Sequence, residues 1–154
     1  MIDYVIMSSL TIDAGRRARL QEIVEKDRAQ VAHDIAVIEL TAEATQLSMP
    51  VTPECSNGLG LCHGGMIYFL ADTAVGVATN TEPGDDQWVT ASATITHLAP
   101  ARVGDTLRAR CTLSAAHGRS RVYTTEVRSG GHIVAVSQAT MMRTRRVASA
   151  TDRA

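Results

Sequence analysis

The chain has 154 residues, enough for one domain with a substantial core and too few for two of ordinary size. A formal net charge of −1 and an aromatic content of 3% argue against a general polyanion binder and leave little to stack on bases, so nucleic acid is not expected as a partner. Cys55, Cys62 and Cys111 form no CxxC pair, which points away from a disulfide framework or a zinc knuckle and toward reduced, buried thiols.

Met1-Ile2-Asp3-Tyr4-Val5 carries an early acid and no basic region ahead of a long apolar core, unlike a secretory leader, so a cytoplasmic protein is expected. From Asp13 to Gln30, Leu20, Ile23 and Val24 recur among charges at helical spacing, the pattern of an amphipathic helix whose expected role is packing. Ile35 to Leu40 and Ala44 to Val51 read as two strands of a hairpin around Thr41-Ala42-Glu43. A polar loop, Thr52 to Leu61, then leads into an apolar segment, Cys62 to Thr79, that reads as a helix buried on nearly all sides. That segment is too short for a membrane span of roughly 20 apolar residues, and Asp72 interrupts it. A buried ionised carboxylate costs several kcal/mol unless it is paired or hydrogen-bonded, so Asp72 is a functional candidate on physical grounds alone.

The Asn80 to Asp86 loop, with Pro83-Gly84, ends the helix. Four β-like runs follow: Gln87 to Leu98, Asp105 to Ala115, Arg121 to Arg128 and Ile133 to Met142. His117-Gly118-Arg119-Ser120 and Ser129-Gly130-Gly131-His132 are tight-turn chemistry, so consecutive strands should be antiparallel. The layout is α+β: an N-terminal segment over residues 1–33, a domain over 34–146 in which an antiparallel sheet covers a long central helix, and a frayed tail over 147–154.

Asn57, then His63-Gly64-Gly65, then Leu70-Ala71-Asp72-Thr73-Ala74, with Ser92-Ala93-Thr94-Ile95-Thr96-His97-Leu98-Ala99-Pro100 and Gly104-Asp105 downstream, resembles the hotdog-fold acyl-CoA thioesterases, specifically their PaaI-like group. The resemblance covers roughly Ile35 to Arg143. It implies an acyl-CoA substrate and no cofactor beyond the coenzyme A that the substrate carries. It makes Asp72 the catalytic carboxylate, as general base on water or as nucleophile, and the Gly64 N–H the donor that polarises the thioester carbonyl. It has Asn57 hold the attacking water, His63 contact the thioester region, and Thr90 support the reacting groups with its hydroxyl. A homodimer at minimum is implied, and a homotetramer expected.

The chemistry suits these residue types. Negative charge develops on the carbonyl oxygen during hydrolysis, and a backbone N–H at a helix N-terminus stabilises it. An unbroken helix would place Gly64 and Asp72 about 12 Å apart, at roughly 1.5 Å of rise per residue, too far to serve one carbonyl, so the site needs a second copy of the chain. Each residue also has a plainer reading: Asp72 as a cap for a neighbouring turn, His63 as a satisfied histidine at a helix start, Asn57 as an Asx-turn before Gly58, Thr90 as an ordinary strand residue.

A thiol nucleophile at Cys62 is disfavoured, because Cys62 and His63 are sequence neighbours and do not face each other on a helix. His33, His63, His97, His117 and His132 lack metal-ligand spacing, and no metal is expected. Coenzyme A phosphates call for cations at the pocket mouth. Arg119 and Arg121 beside Gly118 are preferred, with Ser120 between them, Gly65 at the helix start and Arg143, Arg145 and Arg146 near the C-terminus as further candidates. The competing functions are a non-catalytic acyl-CoA-binding protein on the same fold and a hydratase, which would need a histidine paired with Asp72.

Overall fold

The structure, a computed structural model, describes residue 10, residues 12–84 and residues 86–144. The stretch Met1 to Val5, Arg145, Arg146 and the tail 147–154 lie outside the described residues. Helix α1 (Ala14–Lys26) starts where the Asp13 carboxylate accepts a hydrogen bond from the Arg16 N–H at 2.9 Å, satisfying a donor that a helix start leaves open. It buries Leu20 and Val24. The single helix expected up to Gln30 is in fact two. At Asp27 the backbone leaves helical geometry (φ −82°, ψ 86°) and the carboxylate accepts from the Gln30 N–H at 2.9 Å, opening α2 (Arg28–Ala32). A short acid that hydrogen-bonds nearby backbone competes with helix continuation, and an amphipathic pattern does not reveal this.

Strands β1 (Ala36–Leu40) and β2 (Thr45–Pro50) form the expected hairpin, its turn held by Thr41 Oγ1, which accepts from the N–H groups of Glu43 at 3.2 Å and Ala44 at 3.0 Å. Helix α3 (Gly64–Asn80) is followed by β3 (Gln87–His97), β4 (Thr106–His117), β5 (Ser120–Ser129) and β6 (His132–Thr144). The two-residue connections of β4 to β5 and β5 to β6 begin with Gly118 (φ +58°) and Gly130 (φ +56°), a backbone region that glycine enters without steric cost.

The six strands form one sheet in the order β1-β2-β4-β5-β6-β3, and every neighbouring pair is antiparallel. Helix α3 lies across one face, touching β2 through β6, and buries Ile67, Leu70, Ala74, Val75 and Val77 among Leu47, Met49, Leu107, Val127, Val134 and Met141. Burial is less complete than the apolar sequence suggests. Phe69, Asp72, Gly76 and Asn80, spaced three or four residues apart, form a stripe that is only half-buried. Strand β3 stands at the sheet edge, paired only with β6, and most of its residues are exposed.

Candidate active site

The end of α3 fixes the start of β3. Asn80 accepts from the Trp88 N–H at 2.9 Å and donates to the Trp88 carbonyl at 3.0 Å, so one side chain clamps both backbone groups of a strand residue. Side chains alternate along a strand, and Thr90 therefore points to the same side as Trp88. Its hydroxyl donates to Asp72 Oδ1 at 2.8 Å. Immediately afterward the β3–β6 register slips between Thr90 and Ser92, a bulge of the kind that re-aims side chains.

Asp72 thus stands half-buried in the wall of a cleft of about 550 Å³. Helix α3 supplies one wall with Phe69, Asp72 and Gly76, α1 the other with Ile23 and Lys26, and Trp88 of β3 joins the lining. The contribution of α1 escaped the sequence reading, which gave that helix a packing role. Its polar face is also a cleft wall, and no linear pattern distinguishes a polar face turned to a cleft from one turned to bulk water.

The second cluster lies at the other end of α3. His63 caps the helix: its Nδ1 accepts from the Gly65 N–H at 2.9 Å. This leaves the Gly64 N–H donating to no group among the described residues, at the positive end of the helix dipole. Asn57 makes the Asx-turn: its Oδ1 accepts from the N–H groups of Leu59 at 2.9 Å and Leu61 at 3.2 Å. With the oxygen spent inside the loop, Nδ2 is what Asn57 has to offer a ligand. His97, at the far end of β3, lies over the same helix start; a Cβ on Gly64 would come within 3.1 Å of its Nε2. The sequence placed His97 in the strand that carries the family resemblance and gave it no role in the site. Its contact with Gly64 spans more than thirty positions and has no local signal.

Helix α3 is unbroken between the clusters, so Gly64 and Asp72 are about 12 Å apart along its axis. Arg119, Ser120, Arg121 and Arg143 gather at the Trp88 end of the sheet. Arg121 lies over the Trp88 ring, 4.3 Å from its centroid, and pairs with Glu82. Arg119 Nη2 donates to the Arg143 carbonyl at 3.1 Å, Arg143 Nη1 reaches Asp86 at 3.3 Å, and Ser120 Oγ donates to Met142 Sδ at 3.0 Å. Gly65 belongs to the other cluster, and its N–H is engaged by His63. Burial pushes the Cys62 thiol up to about 11, which makes it a poor nucleophile near neutral pH. Among the described residues, no group of three or more His, Cys, Asp or Glu side chains could hold a metal ion, and no helix is long and apolar enough to cross a membrane.

A six-stranded antiparallel sheet holding one long apolar helix against its face is a hotdog fold. The chain belongs to the thioesterase superfamily, whose family model matches residues 59–136, and it is a thioester hydrolase of the PaaI-like group. A curated relative, acyl-coenzyme A thioesterase PaaI of Escherichia coli (strain K12), is 33% identical over 103 residues, covering 67% of this chain and 72% of that protein. Among solved structures, the Escherichia coli PaaI protein from the phenylacetic acid degradation operon superposes with a TM-score of 0.79 at 28% identity, over 84% of this chain and 94% of that one. A mutant of the phenylacetic acid degradation protein PaaI from Thermus thermophilus gives 0.71 at 28% identity, over 77% and 100%.

Proposed function

We propose that this chain is an acyl-CoA thioesterase whose sites are shared between two copies of the chain. The observation that carries the reading is the split itself: a cleft-lining carboxylate oriented by Thr90 at 2.8 Å, and a backbone donor with no partner among the described residues, two helical turns away. An oxyanion donor works at roughly 3 Å from its target, so Asp72 meets the Gly64 and Asn57 of a partner copy. The edge strand β3, with its open hydrogen-bonding side, supports that pairing, and the exposed outer half of β4, where Leu113 is 49% exposed, supports a further contact in a homotetramer.

In this scheme the Gly64 N–H polarises the thioester carbonyl, and Asn57 holds the attacking water through Nδ2 while His63 flanks the thioester. Asp72 as base takes a proton from water, whose oxygen bonds to the carbonyl carbon; the C–S bond then breaks and the departing coenzyme A thiolate is protonated. As nucleophile, Asp72 would instead form an acyl-enzyme anhydride that water cleaves. Arg119 is the better placed of the turn arginines for a coenzyme A phosphate, since Arg121 is already paired with Glu82; Ser120, Arg143 and Gly65 complete the proposed substrate contacts. Residues 34–146 form the catalytic domain. The segment 1–33 contributes a cleft wall through α1. No cofactor is required, and the expected location is the cytoplasm.

A panel of acyl-CoA thioesters, aryl-acetyl and short to medium chain, scored by released thiol, tests the activity. Asp72→Asn should fold and lose at least about 100-fold in rate. Turnover retained in that variant removes Asp72 from the reaction, and a panel with no cleaved substrate overturns the thioesterase reading in favour of acyl-CoA binding alone.

A further inference from the structure

Of the eleven residues in β3 only Trp88 is buried, with Ala93 and Ile95 partly so beyond the bulge. Ahead of the bulge, the stretch that carries Thr90 is thus seated on the body of the chain by one ring. The Asn80 clamp holds the backbone of Trp88 but leaves the strand free to roll about that pair of bonds, and the seat of the ring sets the roll. Trp88 and Thr90 project from the same side, so a roll that lifts the ring also carries the Thr90 hydroxyl off Asp72.

Arg121 covers that ring. It comes from β5, two strands away, where it pairs in register with Met141 of β6, which in turn pairs with Thr90. The three form a row across the sheet, and the sulfur of the buried Met141 lies 3.4 Å from the Thr90 hydroxyl. The Arg121 guanidinium lies 4.3 Å from the centroid of the Trp88 ring and is tied to the Glu82 carboxylate. Burial weighs against its charge, but hydrogen bonding to Glu82 and Tyr123 outweighs it, so Arg121 meets the ring as a cation, which the indole face attracts. With its side chain only 23% exposed, the contact is screened less than one in open solvent.

We propose that Arg121 is a positioning residue for thioester hydrolysis: by holding the Trp88 ring it keeps the Thr90 hydroxyl on Asp72, an inference that rests on the thioesterase reading above. A coenzyme A phosphate contact would make the opposite demand, since Arg121 would have to leave Glu82 to reach the ligand.

The test compares wild type, Arg121→Gln, Thr90→Val and the double variant by thiol release and by the emission of Trp88, the only tryptophan in the chain. Arg121→Gln should lower kcat about 5-fold with KM within about twofold, inside the range by which residues that touch no ligand modulate a distant site. In the Thr90→Val background the same change should cost less than about twofold, because the two residues act through one contact. Acrylamide quenching of Trp88 should rise in Arg121→Gln as the ring loses its cover. Arg121→Lys, which keeps the charge without the planar fork, should fall between wild type and Arg121→Gln. A raised KM with kcat unchanged makes Arg121 a coenzyme A contact and overturns the inference, as do losses that multiply in the double variant or quenching that does not change. If Arg121→Gln does not fold, Glu82→Gln, which removes the tether, carries the same comparison. Absence of turnover in wild type removes the thioesterase reading alone. The hold on Thr90 is then read from its methyl NMR signal, which should shift in Arg121→Gln; a signal that stays in place overturns the inference.

Discussion

If each site takes Asp72 from one copy and Asn57 from the other, two dead enzymes should make a living one. The perturbations are Asp72→Ala in one chain and Asn57→Asp in the other. Aspartate is preferred to alanine at position 57 because it retains an oxygen to accept from Leu59 and Leu61, at 2.9 and 3.2 Å, and replaces the Nδ2 donor with a charged acceptor that repels the developing oxyanion. Each parent homodimer carries one lesion in both of its sites. A heterodimer concentrates both lesions in one site and leaves the other intact. Random exchange at equal concentrations makes about half of the dimers mixed, each with one working site of two, so activity should return to about a quarter of wild type. Parents reduced at least about 100-fold supply a background near one percent, well below that level. The assay is thiol release before and after subunit exchange, with exchange verified by native mass spectrometry. No recovery after verified exchange, or full activity in a monomer, refutes the argument from helix spacing.

Thr90→Val removes the hydroxyl that orients Asp72 and keeps the β-branched shape; it should lower kcat about 10-fold with little change in KM, as fits loss of one hydrogen bond to a charged group. Cys62→Ala should keep activity within about threefold, and the native protein should resist thiol reagents at pH 7, since burial holds that thiol at about 11. Asp105, which accepts from the Arg102 N–H at 2.9 Å and from Ser129 Oγ at 2.9 Å, is held below the usual carboxylate range chiefly by the backbone hydrogen bond. A depressed folded-state pKa stabilises above the unfolded value and is lost as pH falls through the folded one. The Tm advantage of wild type over Asp105→Asn should therefore be full at about pH 6, begin to shrink near about pH 4 and vanish only below the depressed folded-state value; a gap independent of pH contradicts this.

The strands were legible because alternation and turn residues are local signals: all six lie within about two residues of the limits read from sequence, and Gly118 and Gly130 mark turns where they were expected. The helix start was legible less sharply, since His63 caps rather than joins it. Asp72 stood out because an acid in an apolar helix is unusual on its face, whereas Gly64 and Asn57 were singled out by the resemblance to PaaI-like thioesterases. What the pattern hid was tertiary. The Thr90 contact depends on the Asn80 clamp, the placement of His97 on strand length, and the wall formed by α1 on how two helices meet.

The Asn80 clamp has an evolutionary consequence. By holding both backbone groups of Trp88, it fixes the two ends of the connection between α3 and β3 independently of what lies between them. Closing a longer flexible loop between fixed ends costs only about 0.6 kcal/mol per doubling of its length. The tip at Pro83 and Gly84 can thus lengthen, shorten or acquire a new contact while Thr90 stays on Asp72. Variation in that loop is free to explore new partners without disturbing the reacting groups.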